Sequence, residues 1–266
     1  MTDNKTIYQV DAFTNKPFKG NPAGVMIVNK ETPAAWMQNM ALEMNLSETA
    51  FIVPKEDSFD IRYFTPTIEV PLCGHATLAS AHILFTEGMV QPGQSIIMNA
   101  KGGKLVIRKE GDWIVMNFPV YALTQIEVPA GFRELVGFEP LEAWASNDDW
   151  IIAIAKTEKE IHSAKPDFNG LIGNGLGHLI ITAPSSEENT DFVVRCFAPR
   201  SGINEDPVTG SAHCALTPLW HKKIGKQEMN SYQVSARTGR LKVRLVDDRV
   251  EICGQAVTIF KAELQI

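Results

Sequence analysis

A chain of 266 residues, 44% apolar and 21% charged, has room for two ordinary domains and carries enough core-forming side chains to argue against disorder. Its net charge of −6 and the lack of any basic block argue against nucleic acid or an anionic membrane as partner, since both require a basic surface. No segment approaches the length of a membrane span. No apolar leader precedes the first strand, and Cys73, Cys196, Cys214 and Cys253 are too scattered for a zinc knuckle or a disulfide framework. These features predict a soluble, cytoplasmic protein with reduced thiols.

In chain order, Ile7 to Phe13 reads as a strand, Pro17 to Gly24 as a glycine- and proline-rich turn, and Val25 to Val28 as a second strand. A helix follows, with Thr32 as N-cap, Pro33 at its first position and Trp36, Met40 and Met44 along one face to Met44. Strands are predicted at Ala50 to Val53 and Phe59 to Phe64. The segment Leu72 to Leu84 is then an apolar helix that opens on Gly74, with Cys73 and His75 at its mouth. Strands at Lys104 to Arg108 and Trp113 to Asn117 lead to a boundary near Phe118-Pro119. Beyond it the pattern predicts short helices at Phe132 to Val136 and Glu158 to His162, and strands at Trp150 to Ala155 and Leu179 to Thr182. The last elements are strands at Leu241 to Leu245 and Arg249 to Ile252, then a tail strand at Val257 to Leu264 with no counterpart in the first half.

The two halves repeat one another. Asp206 to Leu216 has the design of the Gly74 helix mouth, with Gly210 lying 136 residues after Gly74. Ala100 to Arg108 matches Ala236 to Arg244 at the same offset of 136. An offset that persists across two elements indicates internal duplication. Arg62 to Pro66 matches Arg195 to Pro199 at 133, so three residues are inserted before the second mouth, in the segment containing Asn204, Glu205 and Asp206. Pro184 follows Pro54 by 130, which sets His178 opposite Glu48. The domains implied are residues 1–118 and 119–256, with the tail 257–266 returning to complete the first.

A helix N-terminus exposes unpaired N–H groups and a positive dipole end, and a glycine there lets an anion approach closely. Two such ends would hold a small carboxylate or phosphate; Gly74 and Gly210 as mere packing glycines is the alternative. Glu48 stands before a strongly apolar strand, where burial would raise its pKa and suit it to general acid/base work, while a surface cap is the ordinary role for such a residue. His75 is placed to donate to a substrate or relay a proton; His82 and His213 read as core histidines held by partners. Asp206-Pro207 alone is an ordinary cap signature. Ser211, the twin of His75, lacks a nucleophile elbow. Thr209 stands where Cys73 would have its twin, so a two-thiol arrangement is missing. The glycine run from Gly170 to Gly177 leads into a strand and carries no Lys-Ser/Thr, which excludes a P-loop.

Five segments together resemble the phenazine-biosynthesis isomerase-like (PhzF-like) family. They are Val10 to Thr14, Gly20-Asn21-Pro22-Ala23-Gly24-Val25, Asn45 to Phe51, Cys73 to Ala79 and Glu205 to Ala212, in the family's order. The resemblance implies the diaminopimelate epimerase-like fold, α+β, with two pseudo-repeated domains, each a curved mixed sheet wrapped around a central helix. It implies a site between the domains, a homodimer, a small anionic substrate, no cofactor and no metal. Residue by residue, Glu48 matches the general acid/base, and His75 and Asp206 the polar residues that assist it. Gly74, Gly210, Ser211 and Asn21 match substrate-binding positions. The reading is a cofactor-independent isomerase that moves a proton on a carboxylate-bearing, amino-acid-like or dihydroaromatic molecule. One-base epimerisation assisted by Cys73, and a non-catalytic small-anion-binding protein, are the alternatives.

Overall fold

The computed structural model describes residues 6–91 and 93–265. Met1 to Lys5, to which the expectation of no leader applies, and Ile266, the end of the tail segment, lie outside the described residues. Two compact units are formed, Met1–Phe118 with Ile252–Ile266, and Pro119–Glu251.

The first unit runs β1 (Thr6–Ala12), β2 (Asn21–Ile27), α1 (Ala34–Met44), β3 (Glu48–Pro54), β4 (Phe59–Phe64), β5 (Glu69–Val70), α2 (Gly74–Thr86), β6 (Ile96–Ala100), β7 (Gly103–Glu110) and β8 (Trp113–Pro119). The second runs β9 (Leu123–Ile126), α3 (Phe132–Val136), β10 (Glu142–Ser146), β11 (Ile151–Ile154), α4 (Glu158–Ser163), α5 (Phe168–Gly173), β12 (Leu179–Pro184) and β13 (Phe192–Ala198). A 3₁₀ turn (Pro199–Ser201), β14 (Ile203–Asp206), α6 (His213–Ile224), β15 (Glu228–Gln233), β16 (Gly239–Val246) and β17 (Arg249–Gly254) follow, and β18 (Ala256–Glu263) ends the chain.

Strand pairing makes the duplication explicit. In the first unit β1 is antiparallel to β2, β2 parallel to β3, β3 antiparallel to β4, and β4 parallel to β6. In the second, β10 is antiparallel to β11, β11 parallel to β12, β12 antiparallel to β13, and β13 parallel to β15. The tail strand does have a counterpart, contrary to expectation. β18 pairs antiparallel with β1 as β9 pairs antiparallel with β10, so each copy takes its outer strand from the segment after a β7-like, β8-like hairpin. The return to the first unit starts at Ile252, ahead of residue 257, and it needs a glycine. A Cβ at Gly254 would collide with Leu78 and Phe13.

Each unit surrounds a central helix. Along α2 the residues His75 to Ala81, Ile83 and Leu84 are buried, on every face rather than along one stripe. In α6, His213 to Thr217, Leu219 and Trp220 are buried. The sheet is apolar on both sides, because β3 buries Phe51 against α1 while Ala50 and Ile52, on the opposite face by alternation, are equally inaccessible. In the second unit α3, α4 and α5 contribute Phe132, Val136, Ile161 and Leu171 to a separate cluster against Leu179, Ile181, Val193 and Phe197.

Three local expectations change. Pro33, with ψ 142°, is the residue outside α1, and the helix starts at Ala34; Thr32 instead closes a turn onto the Asn29 carbonyl. The buried face of α1 is Met37, Met40 and Ala41, flanked by Trp36 and Met44. Asn21 to Gly24 belong to β2 rather than to a turn, with Asn21 opposite Ala12 in the ladder.

Candidate active site

In the first unit a buried polar group assembles at the N-terminus of α2. Glu48 opens β3, Asn21 opens β2 beside it, and Cys73 and His75 bracket Gly74 at the helix start. His75 Nε2 lies 3.3 Å from Glu48 Oε2, and His75 Nδ1 lies 3.3 Å from Asn21 Nδ2 and 3.4 Å from Cys73 Sγ. Burial holds the imidazole pKa down at about 3, so it is neutral at ordinary pH. The contact with Glu48 is therefore a hydrogen bond rather than an ion pair. The tautomer consistent with both neighbours has Nε2–H donating to Glu48 and Nδ1 accepting from the Asn21 amide.

The backbone around this group is over-determined. Asp11, itself buried, accepts the Phe18 N–H at 2.8 Å and folds the loop that delivers Asn21. Gly20 precedes Asn21 at φ 67°, and a Cβ there would run into the Ala12 carbonyl. Below the mouth, Thr77 donates to the Cys73 carbonyl and contacts the buried Tyr63 hydroxyl, both at 2.6 Å. Cys73 is the N-cap residue but makes no side-chain cap, so the N–H groups of Gly74, His75 and Ala76 have no intrahelical acceptor.

The second unit places Asp206, Gly210 and Ser211 together, in a different geometry. The helix α6 begins at His213, three residues later than the repeat predicts, and Gly210 sits in the preceding turn. That turn is tight: His213 and Cys214 donate to the Gly210 and Ser211 carbonyls three residues back. Asp206 accepts a short hydrogen bond from the Thr209 hydroxyl. Gln233 binds both sides of the turn, its Oε1 accepting the Thr209 N–H at 2.9 Å and its Nε2 donating to the Asp206 carbonyl at 2.8 Å. His213, fully buried, spans the Thr209 carbonyl and the Ser231 hydroxyl, and burial holds its pKa at about 4.

One device holds both mouths. Arg62 grips Glu69 through Nε and Nη2 at 2.8 and 2.9 Å and lies over the Phe64 ring; Arg195 grips Glu205 at the same two distances and lies over Phe197. Glu205 is thus the twin of Glu69, 136 residues on. The inserted residues therefore fall before Glu205, at the 3₁₀ turn and Gly202, rather than at Asn204 to Asp206. In the ladder Tyr63 faces Val70 as Cys196 faces Asp206, so the second copy carries an acid where the first carries a valine.

Two residues that the sequence does not single out, Gln233 and Asp11, matter most to this geometry. Asp11 carries a usable signal, a carboxylate inside an apolar strand that ends in a turn. Gln233 carries none, because one glutamine in a polar-apolar strand is ordinary. His178 stands at the register of Glu48 but meets Asp149 and Ser201, at 3.1 and 2.8 Å, instead of an α6 residue.

The phenazine biosynthesis-like family profile (PhzC-PhzF) matches residues 10–262. The chain belongs to that family. A protein of Halalkalibacterium halodurans named an uncharacterized isomerase is 46% identical over 97% of this chain and 97% of its own length. The crystal structure of a phenazine biosynthesis protein of the PhzF family from Enterococcus faecalis superposes with a TM-score of 0.93 at 37% identity, covering 98% of this chain and 99% of that one. A probable proline racemase from Agrobacterium radiobacter K84, at 8% identity and TM-score 0.65 over 98% of this chain and 93% of its own, shares the fold alone. With the family comes the enzyme class, an isomerase, and the α+β racemase-like architecture.

Proposed function

We propose that the protein is a cofactor-independent isomerase in which Glu48 takes a proton from carbon on a small carboxylate-bearing substrate and returns it elsewhere on the same molecule. The observation that carries this reading is the 3.3 Å contact between Glu48 Oε2 and a buried, neutral His75 at the open N-terminus of α2. Holding Nε2–H on one carboxylate oxygen fixes the orientation of the base, and a neutral imidazole does so without quenching its charge. The N–H groups at Gly74 to Ala76, left without intrahelical acceptors and backed by the dipole of a helix of 13 residues, favour the substrate carboxylate. Asp206, Gly210 and Ser211 contribute the remaining polar contacts in this proposal. A homodimer in the cytoplasm completes it; the four cysteines are buried and none is in a disulfide among the described residues.

Proton exchange with solvent reports the reaction whatever the product is. Candidate amino acids and dihydroaromatic acids incubated in heavy water acquire deuterium with wild type, and Glu48→Gln slows this about 10³-fold. Equal rates for the two proteins would remove Glu48 from the role.

The 3.4 Å contact between Cys73 Sγ and His75 Nδ1 favours one second reading, epimerisation with the thiol as a partner acid. Cys73→Ala abolishes exchange under that reading and leaves it within about tenfold of wild type under the first.

A further inference from the structure

The same three side chains that define the base form a ligand set of another kind. One donor atom each from Glu48, Cys73 and His75 lies within 4.8 Å of the others. We propose that this cluster binds a thiophilic divalent cation, zinc above all, and that the bound ion shuts the isomerase off by occupying the carboxylate that would take the proton. The inhibition rests on Glu48 being the base; the binding does not.

The distances fit tetrahedral zinc. Bond lengths of about 2.3 Å to sulfur and about 2.0–2.2 Å to nitrogen and oxygen place neighbouring ligand atoms roughly 3.4–3.6 Å apart. His75 Nε2 stands 3.3 Å from Glu48 Oε2; Cys73 Sγ is 4.0 Å from Nε2 and 3.4 Å from Nδ1, so the thiol has to change rotamer toward the Nε2 side to complete the site. Binding through Nε2 leaves Nδ1 to Asn21, whose side-chain amide lies 3.3 Å away and, turned over, offers its carbonyl to Nδ1–H. That is the outer support a metal-bound histidine ordinarily has. Cys73 and His75 are buried while the Glu48 side chain is 15% exposed, which sets the ion's entry beside the carboxylate. Three protein ligands leave a fourth position for water, the open coordination of an exchangeable ion. A thiolate in the set selects zinc, cobalt or cadmium over magnesium or calcium.

The proton balance is simple. Binding breaks the Cys73 S–H bond heterolytically; the electron pair enters the sulfur–metal bond and one proton passes to the buffer. No oxidant or reductant takes part.

Cobalt(II) tests the site directly on the full-length chain after chelator treatment. Titration with cobalt chloride produces thiolate-to-cobalt charge-transfer absorption and a tetrahedral ligand-field band, both saturating at one equivalent, and zinc chloride displaces them. Cys73→Ser loses the charge-transfer absorption and weakens zinc binding by on the order of a hundredfold or more, while Cys214→Ser, at a buried thiol of the other unit, keeps both. Circular dichroism verifies that the Cys73 variant is folded, and Asn21→Ala, which keeps all three ligands, weakens zinc about tenfold. No charge-transfer band, or one that survives Cys73→Ser, overturns the site. Inhibition of deuterium exchange by zinc should track cobalt displacement and reverse on chelation; binding without inhibition overturns the off-switch while leaving the site. The Glu48→Gln exchange assay is metal-free, so failure of the base assignment appears there independently of the cobalt result.

Discussion

The two helix mouths share one ancestry and one strand topology but spend their polar residues differently. At α2 the imidazole touches the acid at 3.3 Å and the thiol at 3.4 Å, and the helix begins at once behind an N-cap residue whose side chain makes no cap. At the turn before α6 the acid is tied to Thr209, Thr209 and Asp206 are tied to Gln233, and His213 is tied to Ser231. The first copy leaves reactive groups next to backbone donors that the helix does not use; the second converts the same position into a closed hydrogen-bond net. Duplication supplied two equivalent positions, and divergence left one with an acid and a thiol against an imidazole and the other with Asp206 held in a rigid turn.

This contrast breaks if mutations at the two mouths have similar effects. The largest difference expected is at Glu48, where Gln lowers deuterium exchange about 10³-fold while stability in urea changes by no more than about 1 kcal/mol. Gln233→Leu does the reverse. It strands the Thr209 N–H and the Asp206 carbonyl in a buried turn and costs about 2–4 kcal/mol in urea unfolding. Acid probes this net through His213, and a second, partly buried histidine, His82 on α2, alongside it. Burial depresses the pKa of His213 to about 4, and burial, then Lys109, depresses that of His82 to about 4, so both are neutral in the native protein. The unfolded chain protonates them below their ordinary 6.5, so their contribution is complete above that pH and is lost as the pH falls toward 4. Each accounts for roughly 3 kcal/mol over that window, and His213→Asn should flatten the pH dependence of the urea midpoint. The smallest effect separates the twin clamps. Arg62→Lys costs about 1 kcal/mol, and Arg195→Lys about 1 kcal/mol more, because Arg195 Nη1 also donates to the Ile161 and Ala164 carbonyls.

Much of this is legible in the residues. The matched offsets reveal the duplication because paired elements of equal length keep their spacing: β7 and β16 begin and end 136 residues apart. Glu48 and His75 stand out because a charged or titratable side chain at the edge of an apolar run needs a reason to be there. The start of α6 is not legible, because Gly210 and Ser211 carry the letters of a helix mouth, while the tight turn that delays the helix depends on Gln233, 23 residues away in β15. The tail strand looks orphaned for a similar reason. Its counterpart β9 has the unremarkable sequence Leu-Thr-Gln-Ile, and only the ladders to β1 and β10 reveal the equivalence.

That exchange of outer strands orders the life of the chain from its synthesis. The first copy emerges from the ribosome without β18, its edge at β1 unpaired, and must wait for the rest of the polypeptide before its sheet is complete. The second copy, with β9 already made, completes its own outer ladder first. An interrupted translation product would therefore carry a second copy with its outer ladder complete and a first copy with a bare strand edge that invites aggregation.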